Sequence, residues 1–319
     1  MAARFNAAAT RRALREICAR AGLDDSGAIL VKRTVNAVYR LPRAGAVVRI
    51  TGSAAMAHRA PKVVRVARWL ADRDVPAVRL MPGVRAPVEA GGHIATVWVD
   101  ATPRGRPVPG PAPDAADLAG LLRTLHGLGF GLGFGLGSPP SPPSPPSPPP
   151  PLPRWDPLDD VRRRLSDAEI LPLADRRFLE RRAERIGTAL RSVHYALPTT
   201  VIHGDAHLGN LIRASDHRVL LCDFDATCLG PAEWDLVPVA VGRLRFGHDP
   251  RVHHALCAEY GFDVTAWDGF AVLRAVRELK LVTSVLPVLA SSASVAAQFR
   301  TRLDSLRRGD DTARWTLYH

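Results

Sequence analysis

Lysine is scarce in this chain. It occurs only at Lys32, Lys62 and Lys280, so 40 of the 43 basic residues are arginine. With abundant Ala, Pro and Gly, that skew is of the kind a GC-rich genome imposes. The net charge of +12 raises the question of a polyanionic partner. Aromatic residues are few, at 6%, and the basic residues are spread along the chain without aromatic interleaving or a nucleic-acid motif. A dedicated nucleic-acid role is therefore not supported, and only nonspecific attraction to polyanions remains. Cysteine is limited to Cys18, Cys222, Cys228 and Cys257, with no C-x-x-C pairing, so neither a disulfide framework nor a zinc ribbon is expected. No apolar run approaches the roughly 18–20 residues of a membrane span. The opening MAARFNAAATRRALREICAR lacks the apolar core of a secretory signal and reads as an amphipathic helix through Leu14, Ile17 and Cys18. The expected compartment is the cytoplasm, with no membrane partner, and no pattern selects an oligomeric state.

What is present is enough apolar sequence, 46% of 319 residues, to bury a full core. From about 28 to 102 the chain reads as strands: AILVKR, NAVYRLP, AVVRI, AVRLMP, APVEAG and HIATVWV, with one helix, PKVVRVARWLADR, among them. After 114 the apolar spacing is helical at 114–126, 156–168, 174–193, 251–260, 267–289 and 291–307. Leu118, Leu121, Leu122 and Leu125 share one face behind Asp114, a candidate cap. The glycine and proline repeats of 127–153 cannot form a packed core and read as a disordered insert in a surface loop. The expected fold class is α+β: two lobes, with a small antiparallel-sheet N-terminal lobe over 1–101 and a mainly helical lobe over 102–319. The helical lobe would carry a polar hairpin at 201–236.

That hairpin, VIHGDAHLGNLIRASDHRVLLCDFDATCLGPAEWDL, holds the chemistry. His203, Asp205 and His207 alternate, which on a strand would put all three on one face and could assemble a metal site for a hydrolase. No fourth ligand follows at an obvious spacing. Instead Asn210 stands five positions after Asp205, and an apolar strand then ends in Asp223-Phe224-Asp225, the arrangement of a kinase catalytic loop followed by a magnesium-binding element. Hard oxygen ligands suit magnesium.

The pair H-G-D-x-H-x-x-N and G-P-x-x-x-D, here at 203–210 and 230–235, resembles the aminoglycoside phosphotransferase and choline kinase-like family. The likeness extends to TVNAVYRLPRAGAVVRI, ARWLADRDVPAVRL and the Leu-His pair at 125–126. It implies a protein-kinase-like fold transferring the terminal phosphoryl group of ATP or GTP to a hydroxyl of a small molecule, whether aminoglycoside-like or a metabolic amino alcohol or sugar. By position, Asp205 becomes the catalytic base, His203 a brace for its loop, Asn210 and Asp223 magnesium ligands with Asp225 assisting, and Arg49 the third-strand base that meets the nucleotide phosphates. Thr96–Asp100 becomes the hinge, with the backbone of Val97 and Val99 reading adenine. Asp235 anchors the loop, Glu233 and Trp234 pack after the metal strand, and His207, Cys222 and Cys228 are structural. His253 and His254 lie on a surface helix without partners.

Two departures stand against this pattern. No glycine occurs between Gly27 and Gly45, so the phosphate-covering turn at 33–37 is not glycine-rich. No aspartate or glutamate occurs from Thr51 to Ala71, where a helix carboxylate ordinarily pairs with the strand base. Three readings follow in falling order: a small-molecule kinase, a noncatalytic nucleotide-binding or scaffold protein, and a metal-dependent hydrolase. Asp249, Glu259, Asp263, Asp268 and Glu278 are the candidate acids for a polycationic acceptor.

Overall fold

A computed structural model describes residues 7–33, 36–52, 58–102, 110–128 and 149–318. Most of the Gly/Pro-rich stretch, 129–148, lies outside the described residues, as do Thr34 and Val35 of the expected phosphate-covering turn. Contacts gather the chain into two compact units. The first takes the described residues up to Asp117, a short piece ending at Leu152, and Leu208–Thr227; the second takes the rest.

The first unit is built on alternation. Helix α1 (Ala7–Ala21) turns Ala13, Leu14, Ile17 and Cys18 inward, and strands β1 (Ile29–Arg33), β2 (Asn36–Leu41) and β3 (Ala46–Thr51) follow as an antiparallel meander. In β3 the buried and half-buried residues alternate strictly, so Ala46, Val48 and Ile50 enter the core and Arg49 faces the opposite side. Helix α2 (Arg59–Ala71), strand β4 (Val88–Ala90) and strand β5 (His93–Val99) complete a five-stranded sheet in the order β1-β2-β3-β5-β4. β1 is an edge strand, exposed along its whole length, with a register shift between Leu30 and Lys32.

AVRLMP does not form a regular strand. It is extended chain between Pro76 and Pro82 that makes single bridges, Ala77 to Leu221 and Leu80 to Trp98. The unit also holds the hairpin of β7 (Leu211–Arg213) and β8 (Val219–Leu221).

The second unit begins within helix α3 (Ala115–Gly127), where Asp114 accepts from the backbone N–H of Ala116 and Asp117 at 2.9 and 3.0 Å, as its capping position predicts. Helices α4 (Asp159–Ser166) and α5 (Leu173–Leu190) follow. Strands β6 (Thr199–Ile202) and β9 (Cys228–Pro231) pair antiparallel. Helix α6 (Glu233–Phe246), then α7 (Pro250–Tyr260), α8 (Phe270–Thr283) and α9 (Ala293–Arg308) complete it.

Helix α6 was not legible from the periodicity: it carries Pro238 inside and is buried on nearly every side, so no polar face marks it. The long helix expected over 267–289 stops at Thr283, and a 3-10 turn, Leu286–Ser291, follows with Pro287 in its first turn. Arg245 of α6 is fully buried and is matched by Glu278 of α8 at 2.7 Å, which also accepts from Arg274 at 2.7 Å. A buried charge without such partners would cost several kcal/mol. No helix among the described residues is long and apolar enough to cross a membrane.

Candidate active site

The Asp205 loop leaves the end of β6 and is held by the first turn of α6. Asp235, fully buried, accepts the N–H of His203 at 2.6 Å and of Gly204 at 2.8 Å, and takes His126 Nε2 at 3.1 Å. His126 in turn meets the Tyr260 hydroxyl at 2.7 Å. Trp234 Nε1 donates to Gly204 O at 2.8 Å. Gly204 sits at φ +83°, a left-handed conformation that glycine adopts without strain. The expected anchoring role of Asp235 is therefore a geometric fact, and the motif's spacing has a reason: one carboxylate at a helix N-terminus collects two successive loop amides. Glu233 is equally buried and accepts from the N–H of Ala196 and Leu197, both at 2.7 Å; burial pushes its carboxyl above the ordinary range.

His203 does not stand on a strand face with Asp205 and His207. β6 ends at Ile202, and His203 is buried with Nδ1 accepting the N–H of Asp205 at 3.3 Å, a brace for the loop. The alternating metal triplet thus fails on backbone geometry. His207 Nε2 lies 3.8 Å from Asp205 Oδ2. Among the described residues the one grouping with metal-ligand proximity is elsewhere, His253 with Cys257 and Asp263. His253 is buried, not on a surface face, and its Nε2 lies 3.5 Å from Cys257 Sγ and 3.6 Å from Asp263 Oδ1.

Asp205 itself keeps 43% of its side chain exposed, and Oδ1 accepts from Arg277 Nη1 of α8 at 2.6 Å. Burial opposes its charge, but the Arg277 guanidinium and His207 outweigh it and hold the carboxyl at about 2. Arg277 was not found from the sequence; a basic residue on a distant helix carries no spacing signal toward Asp205.

In the other unit, the hairpin register Leu211↔Leu221 brings the residues flanking it together: Cys222 N–H donates to Asn210 O at 3.0 Å, with Asp223 next in line. Asp223 adopts φ +66° and ψ +73°, a left-handed conformation that costs a non-glycine residue on the order of 1 kcal/mol. It keeps 45% of its side chain exposed. Asn210 and Asp223 thus stand at one end of the hairpin, and an amide and a carboxylate are hard oxygen donors of the kind a divalent cation takes.

Asp225 is placed differently. Arg49 grips both of its carboxylate oxygens, Nη1 to Oδ1 at 2.7 Å and Nη2 to Oδ2, and reaches Asp223 Oδ1 at 3.2 Å. Burial opposes the Asp225 charge, yet these bonds hold the carboxyl below its ordinary range. An acid partner for Arg49, missing from 51–71, is supplied here, after β8. The helix contributes the opposite sign: Lys62 of α2 donates to the carbonyls of Asp225 at 2.6 Å and Thr227 at 2.9 Å. Asn36, Arg49, Thr51, Arg59, Thr96 and Asp225 line a small polar recess.

Of the backbone groups of Val97 and Val99 expected at adenine, Val97 O and Val99 N–H are engaged within the protein. Val97 O accepts from Met81 N–H and Val99 N–H donates to Arg79 O, both at 2.9 Å, because the irregular 77–82 segment lies along β5 and takes them. Cys228 is buried and Cys222 partly so, and none of the four cysteines forms a disulfide.

A five-stranded antiparallel sheet with one inserted helix, a helical unit, and an H-G-D loop clamped by the aspartate of G-P-x-x-x-D define a protein-kinase-like phosphotransferase. The chain belongs to the phosphotransferase enzyme family, matching it over residues 33–275. It is an enzyme of the class that transfers phosphoryl groups to alcohols. Solved structures share the fold. A choline/ethanolamine kinase family protein from Mesorhizobium loti is 18% identical, with 93% of this chain and 91% of that one covered and a TM-score of 0.56. An aminoglycoside phosphotransferase, APH(3'')-Id from Streptomyces rimosus, is 19% identical, with 85% and 98% covered and a TM-score of 0.56. The amicoumacin kinase hAmiN, in complex with AMP-PNP, Ca2+ and Ami, is 11% identical, with 98% and 96% covered and a TM-score of 0.62. No curated protein matches.

Proposed function

We propose that this protein is a small-molecule kinase that transfers the terminal phosphoryl group of ATP or GTP to an acceptor hydroxyl. The observation that carries this reading is the hairpin end: its register sets Asn210 opposite Cys222, the residue before Asp223, and Asp223 takes a left-handed conformation with 45% of its side chain exposed. Those two residues would hold magnesium, which when bound offsets charge on the phosphates. Solved structures of the same fold that hold a nucleotide, such as hAmiN with AMP-PNP and Ca2+, support the same donor class.

The remaining work falls to the chain's own side chains. Asp205, ionised at every physiological pH, accepts a hydrogen bond from the acceptor hydroxyl and orients its oxygen. A carboxyl held at about 2 is a weak base, so its contribution is alignment before the bond forms and uptake of the proton late, as a loose transition state demands. The hydroxyl oxygen forms the new bond to phosphorus, the bond to the bridging oxygen breaks, and the electron pair leaves on the nucleoside diphosphate. Arg49, already fixed by Asp225, directs its guanidinium at the donor phosphates.

The test is thermal unfolding with ATP or GTP, each with and without magnesium, on the wild type and Asp223→Ala. A nucleotide at about 100 times its Kd should stabilise by roughly 2.7 kcal/mol. A rise that requires magnesium and vanishes in Asp223→Ala supports the reading; unchanged midpoints with both nucleotides refute it. A second reading, a noncatalytic nucleotide-binding protein, draws on the engagement of Arg49 with both Asp223 and Asp225. It requires nucleotide binding without diphosphate release for any hydroxyl acceptor.

A further inference from the structure

The surroundings of Asp205 carry positive charge from one face of α8. Arg277 and Lys280 are three residues apart on that helix and so lie on the same face, roughly 5–6 Å apart at Cβ. Arg277 commits Nη1 to Asp205. Among the described residues no protein acceptor takes its other N–H groups, and a guanidinium presents them as a planar fork suited to a carboxylate or phosphate.

Lys280 is half-buried, and no carboxylate lies within ion-pair distance of it among the described residues. Its Nζ makes a long contact to Pro157 O, 3.4 Å, and stands 5.9 Å from the centre of the Trp234 ring, whose indole backs the Asp205 loop. Burial disfavours its charged form; Asp160 and Asp205 act in its favour, while Arg164 and Arg277 act against it. A cation in that position gains from an anion brought in from outside.

Of the five candidate acids for a polycationic acceptor, all but the exposed Asp268 are engaged within the fold. Asp249 caps α7 and pairs with Arg251 at 2.6 Å, and Glu259 pairs with Arg123 at 3.6 Å. Asp263 binds Thr265 N–H at 2.8 Å and faces His253, and Glu278 is shared by Arg245 and Arg274.

We infer that the acceptor carries an anionic group, a carboxylate or a phosphate ester, near the hydroxyl that is phosphorylated, and that Arg277 and Lys280 bind it. This rests on the kinase reading. The two cations then select the acceptor, and Arg277 also aligns Asp205.

The experiment measures diphosphate release with magnesium and ATP or GTP over four acceptor sets: hydroxy acids, sugar phosphates, neutral polyols, and the cations choline and kanamycin. Turnover concentrated in one of the first two sets is expected, and which of them responds distinguishes carboxylate from phosphate. Arg277→Gln and Lys280→Gln should each raise KM for the anionic acceptor on the order of tenfold or more, the equivalent of one charge-assisted bond. Arg277→Lys should recover part of that loss. A purely structural role would lower kcat for neutral and anionic acceptors alike, which overturns the inference. Preference for choline or kanamycin overturns it as well, as does magnesium-dependent nucleotide binding with no anionic acceptor used, and both leave the kinase reading standing. Absence of any nucleotide effect removes the kinase reading, and this inference with it.

Discussion

At Asp205 one carboxylate meets opposing demands. Burial favours its neutral form, Arg277 and His207 favour the charged one, and the charges win, holding it at about 2 against an ordinary 3.8. The depressed value makes the sign definite: Asp205 contributes stability above about pH 4, and that contribution is lost as pH falls toward 2. With 43% of the side chain exposed the effect is modest. Urea midpoints followed from pH 5 to about 2 should fall less steeply for Asp205→Asn than for the wild type; parallel curves would exclude the Arg277 pairing as its cause. The same substitution should keep the fold at pH 7 and remove turnover. Asp205 and Asn210 were legible as candidates because a loop motif fixes them at short range. Arg277 was not, since 72 residues separate it from its partner.

Two elements decide how the motif residues are held. Helix α6 offers Asp235 at its first turn, where the helix dipole favours a carboxylate, to two loop amides and His126. Asp235→Ala should destabilise the protein by about 3 kcal/mol, since three buried donors lose their acceptor, and chemical denaturation would read it. A loss under about 1 kcal/mol would mean that the loop is held by other bonds. Helix α2 works through Lys62, which ties the backbone after Asp223. Lys62→Ala should weaken magnesium-dependent nucleotide affinity on the order of tenfold with an unchanged far-ultraviolet spectrum. Calorimetric titration checks this, and equal affinity would sink it. The sequence showed α2 plainly through its apolar stripe, yet hid α6, because amphipathic spacing vanishes in a helix buried all round.

Across the whole molecule, the compact units are not continuous in sequence. The sheet unit takes back residues 208–227, which bring Leu221 to bridge Ala77 and Asp225 to hold Arg49. A fragment ending at residue 128 has all five sheet strands but lacks both partners, and should give a poorly dispersed amide NMR spectrum. A dispersed spectrum would show that the sheet folds unaided. The sequence by itself determined most strands and helices, the H-G-D-x-H-x-x-N loop, its spacing to Asp223 and the family, since these depend on short-range periodicity and fixed motif distances. It also showed an acid to be missing from 51–71, without showing where the replacement lay. Only the tertiary structure decided that Asp225 pairs with Arg49 across 176 positions, that Met81 and Arg79 take Val97 O and Val99 N–H, and that Arg277 stands on Asp205. Each of these is a contact between residues far apart in the chain, and side-chain chemistry at one end carries no local mark of which distant group will meet it.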